Sequence, residues 1–170
     1  PALVPADKLL ANVEGPMNAV LVQGDAVGPT LYYGQGAGEE PTASAVVADL
    51  VDITRLHTAD PGNRVPHLAF QPDAMSDLAI LPMDRVRTSY YLRLRVDDVP
   101  GVLADIARIL ADRGISIGSM IQQPSHIGGA DIIFLTHEAV EGKVNEAIGA
   151  IEALSFVRSK VTRLRVENLQ

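Results

Sequence analysis

One junction constrains the fold more than any other feature. An alternating stretch, Tyr90-Tyr91-Leu92-Arg93-Leu94-Arg95-Val96, stops at Asp97-Asp98-Val99-Pro100-Gly101 and gives way to a different period. Alternation at every second residue describes a strand with one buried face. Leu103, Ile106, Ala107 and Leu110 then recur at i, i+3, i+4 and i+7, the spacing of a helix that packs one stripe on a core. Asp98 stands near the helix start as a candidate cap, and Gly114 just past its end as a stop. A sheet strand followed at once by a one-sided helix calls for a layer of helix on sheet.

The pattern continues in that sense to the last residue. Ile115 to Ile121 mostly alternates, Gly128-Gly129 supplies a turn, and Asp131-Ile132-Ile133-Phe134-Leu135-Thr136 is rich in β-formers. Val140, Val144, Ile148 and Ile151 mark a second amphipathic helix, and Phe156-Val157 with Val161, Leu164 and Val166 a final strand. The order βαββαβ predicts a ferredoxin-like sheet over residues 88–170 with both helices on one face.

Before it, the chain divides in two. Residues 1–56 read as a partial α/β segment: a β-hairpin from Ala19-Val20-Leu21-Val22 and Thr30-Leu31-Tyr32-Tyr33, a glycine loop from Gly34 to Thr42, and a helix through Val46, Val47, Leu50, Val51 and Ile53. Two strands and a helix are too little for an independent core, so this segment belongs to a larger domain. Residues 57–87 form a connector punctuated by Pro61, Pro66, Pro72 and Pro82, with Leu68, Phe70, Leu78, Ile80 and Leu81 expected to pack on a neighbour. The whole is α+β. Beginning at Pro1 with strand-like material under way, it reads as a piece of a longer polypeptide.

Charge and composition restrict the partners. Fourteen basic against twenty-one acidic residues give −7, which repels phosphate backbones and anionic lipid, so neither nucleic acid nor membrane is expected to bind. An RNA-recognition domain of the same βαββαβ order is further disfavoured by the single aromatic, Phe134, in its third strand. The absence of cysteine excludes disulfides and thiol chemistry and suits a cytoplasmic location.

No catalytic set assembles. His57, His67, His126 and His137 lie on different elements without ligand spacing, so no metal site is expected, and no nucleophile elbow is present. Gly34, Gly36 and Gly38 follow a strand and precede a helix, yet their spacing departs from the dinucleotide fingerprint, and Glu39 and Glu40 at the helix start oppose a pyrophosphate. A tight strand-to-helix turn and a close backbone approach to a cofactor both remain. The turn Asp98-Val99-Pro100-Gly101-Val102-Leu103 offers open backbone N–H groups that could receive a carboxylate, or it is simply a turn.

Residues Val96 to Leu103, Arg113-Gly114-Ile115-Ser116-Ile117 and the element order resemble an ACT domain, the amino-acid-sensing module of many biosynthetic enzymes. Gly34-Gln35-Gly36-Ala37-Gly38 with Pro41 to Leu50, and Asn18-Ala19-Val20 with Gly24-Asp25, resemble the end of the catalytic portion of homoserine dehydrogenase. Leu81-Pro82-Met83 and Tyr90-Tyr91-Leu92-Arg93 resemble the connector of its bacterial members. The resemblance implies the C-terminal, regulatory part of an NAD(P)-dependent enzyme that interconverts L-homoserine and L-aspartate 4-semialdehyde in threonine and methionine biosynthesis. It implies a cofactor near Gly36, Ala37, Gly38 and Thr42, bound in the full-length enzyme and not tightly by this chain alone. It also implies an amino-acid effector, threonine, at Asp98, Val99, Pro100, Gly101, Val102 and Leu103 and, across a subunit interface, at Ile117, Gln122 and Gln123. The partners are then the missing N-terminal part and a second copy paired through the ACT sheet. The alternative is an ACT module that pairs subunits and binds nothing. The Rossmann fingerprint and catalytic residues of the family have no counterpart here, so no catalytic residue is assigned and this chain alone is expected to be inactive.

Overall fold

The computed structural model describes residues 1–57, 70, 72–77, 79–126 and 128–167. The chain forms two compact units, one made of Pro1–Pro5 with Ile80–Gln170 and the other of Ala6–Ala79. The first five residues therefore fold with the C-terminal unit and not with the segment that comes after them. The cause is a two-residue strand, β1 (Ala2–Leu3), which pairs parallel with β8 (Thr162–Val166). Glu167 N–H donates to the Leu3 carbonyl at 2.9 Å and extends that pairing.

In the unit Ala6–Ala79, β2 (Met17–Gly24) and β3 (Gly28–Gln35) form the expected hairpin, in register from Met17 opposite Gln35 to Gly24 opposite Gly28. Asp25 closes the turn by accepting the Ala26 N–H at 2.8 Å. Helix α1 (Glu39–His57) comes next, with Glu39 and Glu40 in its first turn and Arg55 in its last, each sign complementing the helix dipole. None of its residues is buried, and Val46, Val47, Leu50, Val51 and Ile53 are all exposed. Of the connector, Leu68 and Leu78 lie outside the described residues. Phe70, Ile80 and Leu81 are exposed, Ile80 by 93%, so the packing expected of them is not made here.

The unit with Ile80–Gln170 has the expected βαββαβ order. It comprises β4 (Arg87–Val96), α2 (Val102–Ala111), β5 (Ile117–Pro124), β6 (Ala130–Thr136) and, after a two-residue β7 (Ala139–Val140), α3 (Glu141–Glu152) and β8. The sheet order is β1-β8-β4-β6-β5, so β4 is central and β5 is an edge. Tyr90, Leu92, Leu94 and Val96 alternate into the core and meet Ile132 and Phe134 of β6. Val102, Ile106 and Leu110 of α2 with Val144, Ala147 and Ile151 of α3 complete it. The second helix starts one residue later than its apolar period suggests, because Val140 belongs to β7, paired with Arg87. In the last segment only Val157 of Phe156-Val157 pairs, in an isolated bridge to Val96. Gly114, at φ +70°, stops α2 as expected, its N–H reaching the Ala111 carbonyl.

One ionic group lies inside this apolar layer. Glu141, in the first turn of α3, is only 2% exposed. Its carboxylate accepts from the Tyr90 hydroxyl at 2.8 Å and from Arg165 Nε and Nη2 at 2.8 and 2.6 Å, while Arg163 stands 3.2 Å away. Chiefly through the Arg165 hydrogen bonds, the Glu141 carboxyl is held below its usual range. Burial, with Glu141 beside it, pushes the Tyr90 hydroxyl up to about 12. The cluster ties helix α3 to strands β4 and β8, and removing one member leaves the others without their partner.

Glu141→Gln is expected to lower stability at pH 7 by about 2–3 kcal/mol, somewhat below the usual cost of breaking a buried pair because both arginines reach solvent. A depressed carboxyl pKa stabilises the fold above the unfolded value and loses that contribution as pH falls through the native one. Urea unfolding should therefore show the gap between Glu141→Gln and the parent at pH 7 and its narrowing toward pH 3. Gly129 offers a second test. Its φ is +75°, and a Cβ there would sit 2.3 Å from the Val96 carbonyl oxygen. Gly129→Ala should cost about 3 kcal/mol in the same assay, and Gly128→Ala, which also has positive φ but open space, about 1 kcal/mol.

Candidate functional site

The turn between β4 and α2 is held at its root by the connector between α3 and β8. Asp97 N–H donates to the Phe156 carbonyl at 2.9 Å, and Arg158 N–H donates to the Arg95 carbonyl at 2.9 Å. The Arg158 guanidinium grips the Asp97 carboxylate with two hydrogen bonds, Nε to Oδ1 at 2.6 Å and Nη2 to Oδ2. This contact holds the Asp97 carboxyl below its ordinary range. Sequence reasoning singled out Asp98 as the cap and missed the part played by Asp97. The signal available was a carboxylate directly after the strand, with nothing to indicate that Arg158, 61 residues on, would face it.

Asp98 does not cap α2. The N-cap is Gly101, in the left-handed region at φ +96°, and no side chain caps the helix. Asp98 stands three residues ahead of that position, out of place for the side-chain bond an N-cap makes to the first turn. The turn residues divide by exposure: Asp98, Val99, Pro100 and Gly101 face solvent, Val102 is buried, and Leu103 packs partly on the core. Val102 thus has only backbone to offer a ligand. No atom lies within 4 Å of where a Cβ on Gly101 would stand, so the backbone there is open to approach. Its positive φ makes any side chain strained whether or not a ligand binds, so a Gly101 substitution is not a clean probe of binding.

Ile117, Gln122 and Gln123 lie on the edge strand β5. Gln123 and Pro124 pair with Asp131 and Ala130, and Ala130 also pairs with Val96, so this end of β5 shares an end of the sheet with the turn. Ile117, opposite Thr136, is at the other end. Within one chain the turn and Ile117 are not brought together. Apart from a partly buried Ile117, the residues of β5 are exposed on both faces, Met120 and Ile121 included, and the strand is kinked by a bulge at Gly118.

The glycine loop is exposed, and at two of its glycines a neighbour from its own unit stands at the Cβ position. A Cβ on Gly36 would lie 2.2 Å from Asn18 Nδ2, and one on Gly38 would lie 3.2 Å from Pro41 Cδ. Gly38, at φ +130°, accepts two bonds on its carbonyl from Thr42, one from the N–H at 3.2 Å and one from the hydroxyl at 2.7 Å. The Thr42 proton is thereby occupied, and toward a ligand its hydroxyl can only accept. Ala37 is exposed. The described histidines, His57, His126 and His137, are not buried, and among the described residues no three metal-ligating side chains cluster.

Residues 1–51 match the family model for homoserine dehydrogenase and residues 90–156 the model for the ACT domain. A homoserine dehydrogenase from Pseudomonas aeruginosa is 57% identical over 171 residues, and one from Neisseria gonorrhoeae 53% identical over 170. Each alignment takes in 99% of this chain and 39% of the relative, so the chain spans about two fifths of the length of these proteins. A crystal structure of a homoserine dehydrogenase from Thiobacillus denitrificans is 66% identical, with a TM-score of 0.88 over 99% of this chain and 38% of that one. A Staphylococcus aureus homoserine dehydrogenase, at 24% identity and a TM-score of 0.52, shares the fold. One family model covers the first part, the ACT model covers most of the last, and single relatives are similar along both: the chain matches homoserine dehydrogenases over a C-terminal part of their length, a part that carries an ACT domain.

Proposed function

We propose that this chain is the regulatory end of an NAD(P)-dependent homoserine dehydrogenase, the enzyme that interconverts L-homoserine and L-aspartate 4-semialdehyde, and that its ACT domain binds threonine and pairs subunits. The observation that carries the reading is the 66% identity to the Thiobacillus denitrificans homoserine dehydrogenase over 99% of this chain. The effector turn is Asp98 to Leu103, where the uncapped first turn of α2 presents N–H groups suited to a carboxylate. Of the β5 residues, Ile117 joins the site from a second copy, while Gln122 and Gln123 join it from the chain that carries the turn. If two β5 edges pair antiparallel about a two-fold axis, the Ile117 end of one strand comes beside the Gln123 end of the other, which is the end that carries the turn.

The glycine loop contributes little by itself to a cofactor. Asn18 and Pro41 stand where a Cβ on Gly36 or Gly38 would lie, so the loop's offer to a cofactor is its exposed backbone. At most the backbone of Gly36, Ala37 and Gly38 and the lone pairs of Thr42 line one wall of a site completed by the rest of the enzyme. With no hydride-transfer or proton-transfer residue assigned, purified chain mixed with homoserine and NAD(P) is expected to show no turnover. The exposed apolar face of α1, with its shallow groove of about 270 Å³ beside Val47, Leu50 and Val51, is where that remaining part would pack.

The exposed β5 edge also supports the second reading, an ACT module that pairs sheets and binds no effector. Dye-monitored thermal unfolding against a panel of amino acids separates the two. Threonine at ten times its Kd should stabilise the chain by about 1.4 kcal/mol and raise the midpoint by roughly 5 °C. Gln123→Ala, an exposed change, should reduce that rise while leaving the ligand-free midpoint in place. A concentration-dependent dimer whose midpoint ignores every amino acid would select the second reading.

A further inference from the structure

Charge is divided unevenly along the chain. Residues 6–79 carry ten acidic and three basic side chains and so account for the whole net charge of −7, while the remaining residues carry eleven of each. Within that neutral remainder, Arg93, Arg95 and Lys160 gather around one cleft of about 380 Å³, together with Asp131, Ser159 and Thr162.

The register of the sheet builds the cleft. Arg93 and Arg95 are two apart on β4, so both project from the face opposite buried Leu92, Leu94 and Val96. Arg93 stands opposite Thr162 of β8 on one side, and Arg95 opposite Asp131 of β6 on the other. The Asp131 side chain is only 11% exposed and takes one contact from each arginine, at 3.3 Å from Arg93 Nη2 and 3.3 Å from Arg95 Nε. A guanidinium has five N–H donors, so each arginine keeps most of its donors for another partner while Asp131 fixes its orientation. Ser159 and Lys160 close the rim from the connector ahead of β8. Arg158, next to them, is engaged by Asp97 and takes no part.

Three cations against one carboxylate leave two uncompensated positive charges around a polar cleft. We propose that this cleft binds a phosphate dianion, free or as the terminal group of a small phosphomonoester. Two forked donors on one strand, a lysine and two hydroxyls approach from different sides, which suits a tetrahedral group with several acceptor oxygens better than a planar carboxylate that one fork would satisfy. The cleft shares no residue with the turn Asp98 to Leu103 or with Ile117, Gln122 and Gln123, so it stands or falls independently of the effector reading.

Calorimetric titration of the full chain with inorganic phosphate, with ionic strength held constant by sodium chloride, tests it. Saturable binding is expected, and Lys160→Gln, at an exposed position, should weaken it about fivefold, the effect of one nearby charge in water. Thr162→Val should weaken it too without altering the thermal midpoint of the free chain. Methyl phosphate titrated in parallel identifies the source: binding as tight as that of inorganic phosphate or tighter points to an ester, and weaker binding to the free ion. Absence of saturable binding by either ligand, equal affinity in the parent and Lys160→Gln, or succinate binding as tightly as phosphate would each overturn the assignment.

Discussion

Strand β4 is hydrogen-bonded along both sides, to β8 from Ser89 to Arg93 and to β6 from Tyr91 to Val96. Its side chains therefore have only two faces to occupy, and a slip of one residue would exchange them. Such a slip would carry Arg93 and Arg95 under the helices and Leu92 and Leu94 into water. The register that seals the core thus also puts both arginines on the open face with Asp131, and delivers Asp97 at the strand end to its partner Arg158. Tyr90 brings a polar tip to the buried side, and the position of its hydroxyl explains why a carboxylate can lie in the core at all. Glu141 is tolerated because Tyr90 and Arg165 supply its hydrogen bonds.

How much of the fold was legible in the sequence depends on how local the signals are. The β4–α2 junction, the hairpin before the glycine loop and the Gly128-Gly129 turn are set by residues close to one another in the chain, and the periodicities of 2 and 3.6 expose them directly. The features that escaped depend on long-range partners. A glutamate at the start of a helix reads as a solvated, dipole-favoured residue, and Glu141 is buried only because Tyr90, 51 residues earlier, and Arg165, 24 later, meet it. A two-residue strand such as Ala2–Leu3 has no period to detect. Asp98 and Asp97 are indistinguishable by composition, and it is the Gly101 left-handed conformation that pushes the helix start away from Asp98.

The candidate site divides along the same line. The openness of Gly101 was legible, since glycine after proline ahead of an apolar helix describes it, but the missing side-chain cap was not, because Asp98 read as one. The separation of Ile117 from the turn was not, because it depends on which way β5 runs beside β6. The glycine loop shows the opposite limit: three glycines in five residues invite a ligand reading, while at Gly36 the neighbour at the Cβ position is the Asn18 side chain of β2.

The attachment of the turn limits how an effector there could act. A ligand shifts a conformational equilibrium only through a difference in affinity between two states. The turn is fixed to the connector by Asp97 N–H on Phe156, by the Arg158–Asp97 pair and by Arg158 N–H on Arg95, and from its other end it continues into α2. A ligand that displaced the backbone at Asp98 to Gly101 would load two routes. One leads through α2 to its packing on α3, and the other through Arg158 to the start of β8 and the parallel strand Ala2–Leu3 beside it. That second route ends inside residues 1–51, the stretch matched to homoserine dehydrogenase, on the few of them that fold with the ACT unit. Strain transmitted along β8 would therefore meet β1, two residues short of the point where the chain passes covalently from the ACT unit into the other one.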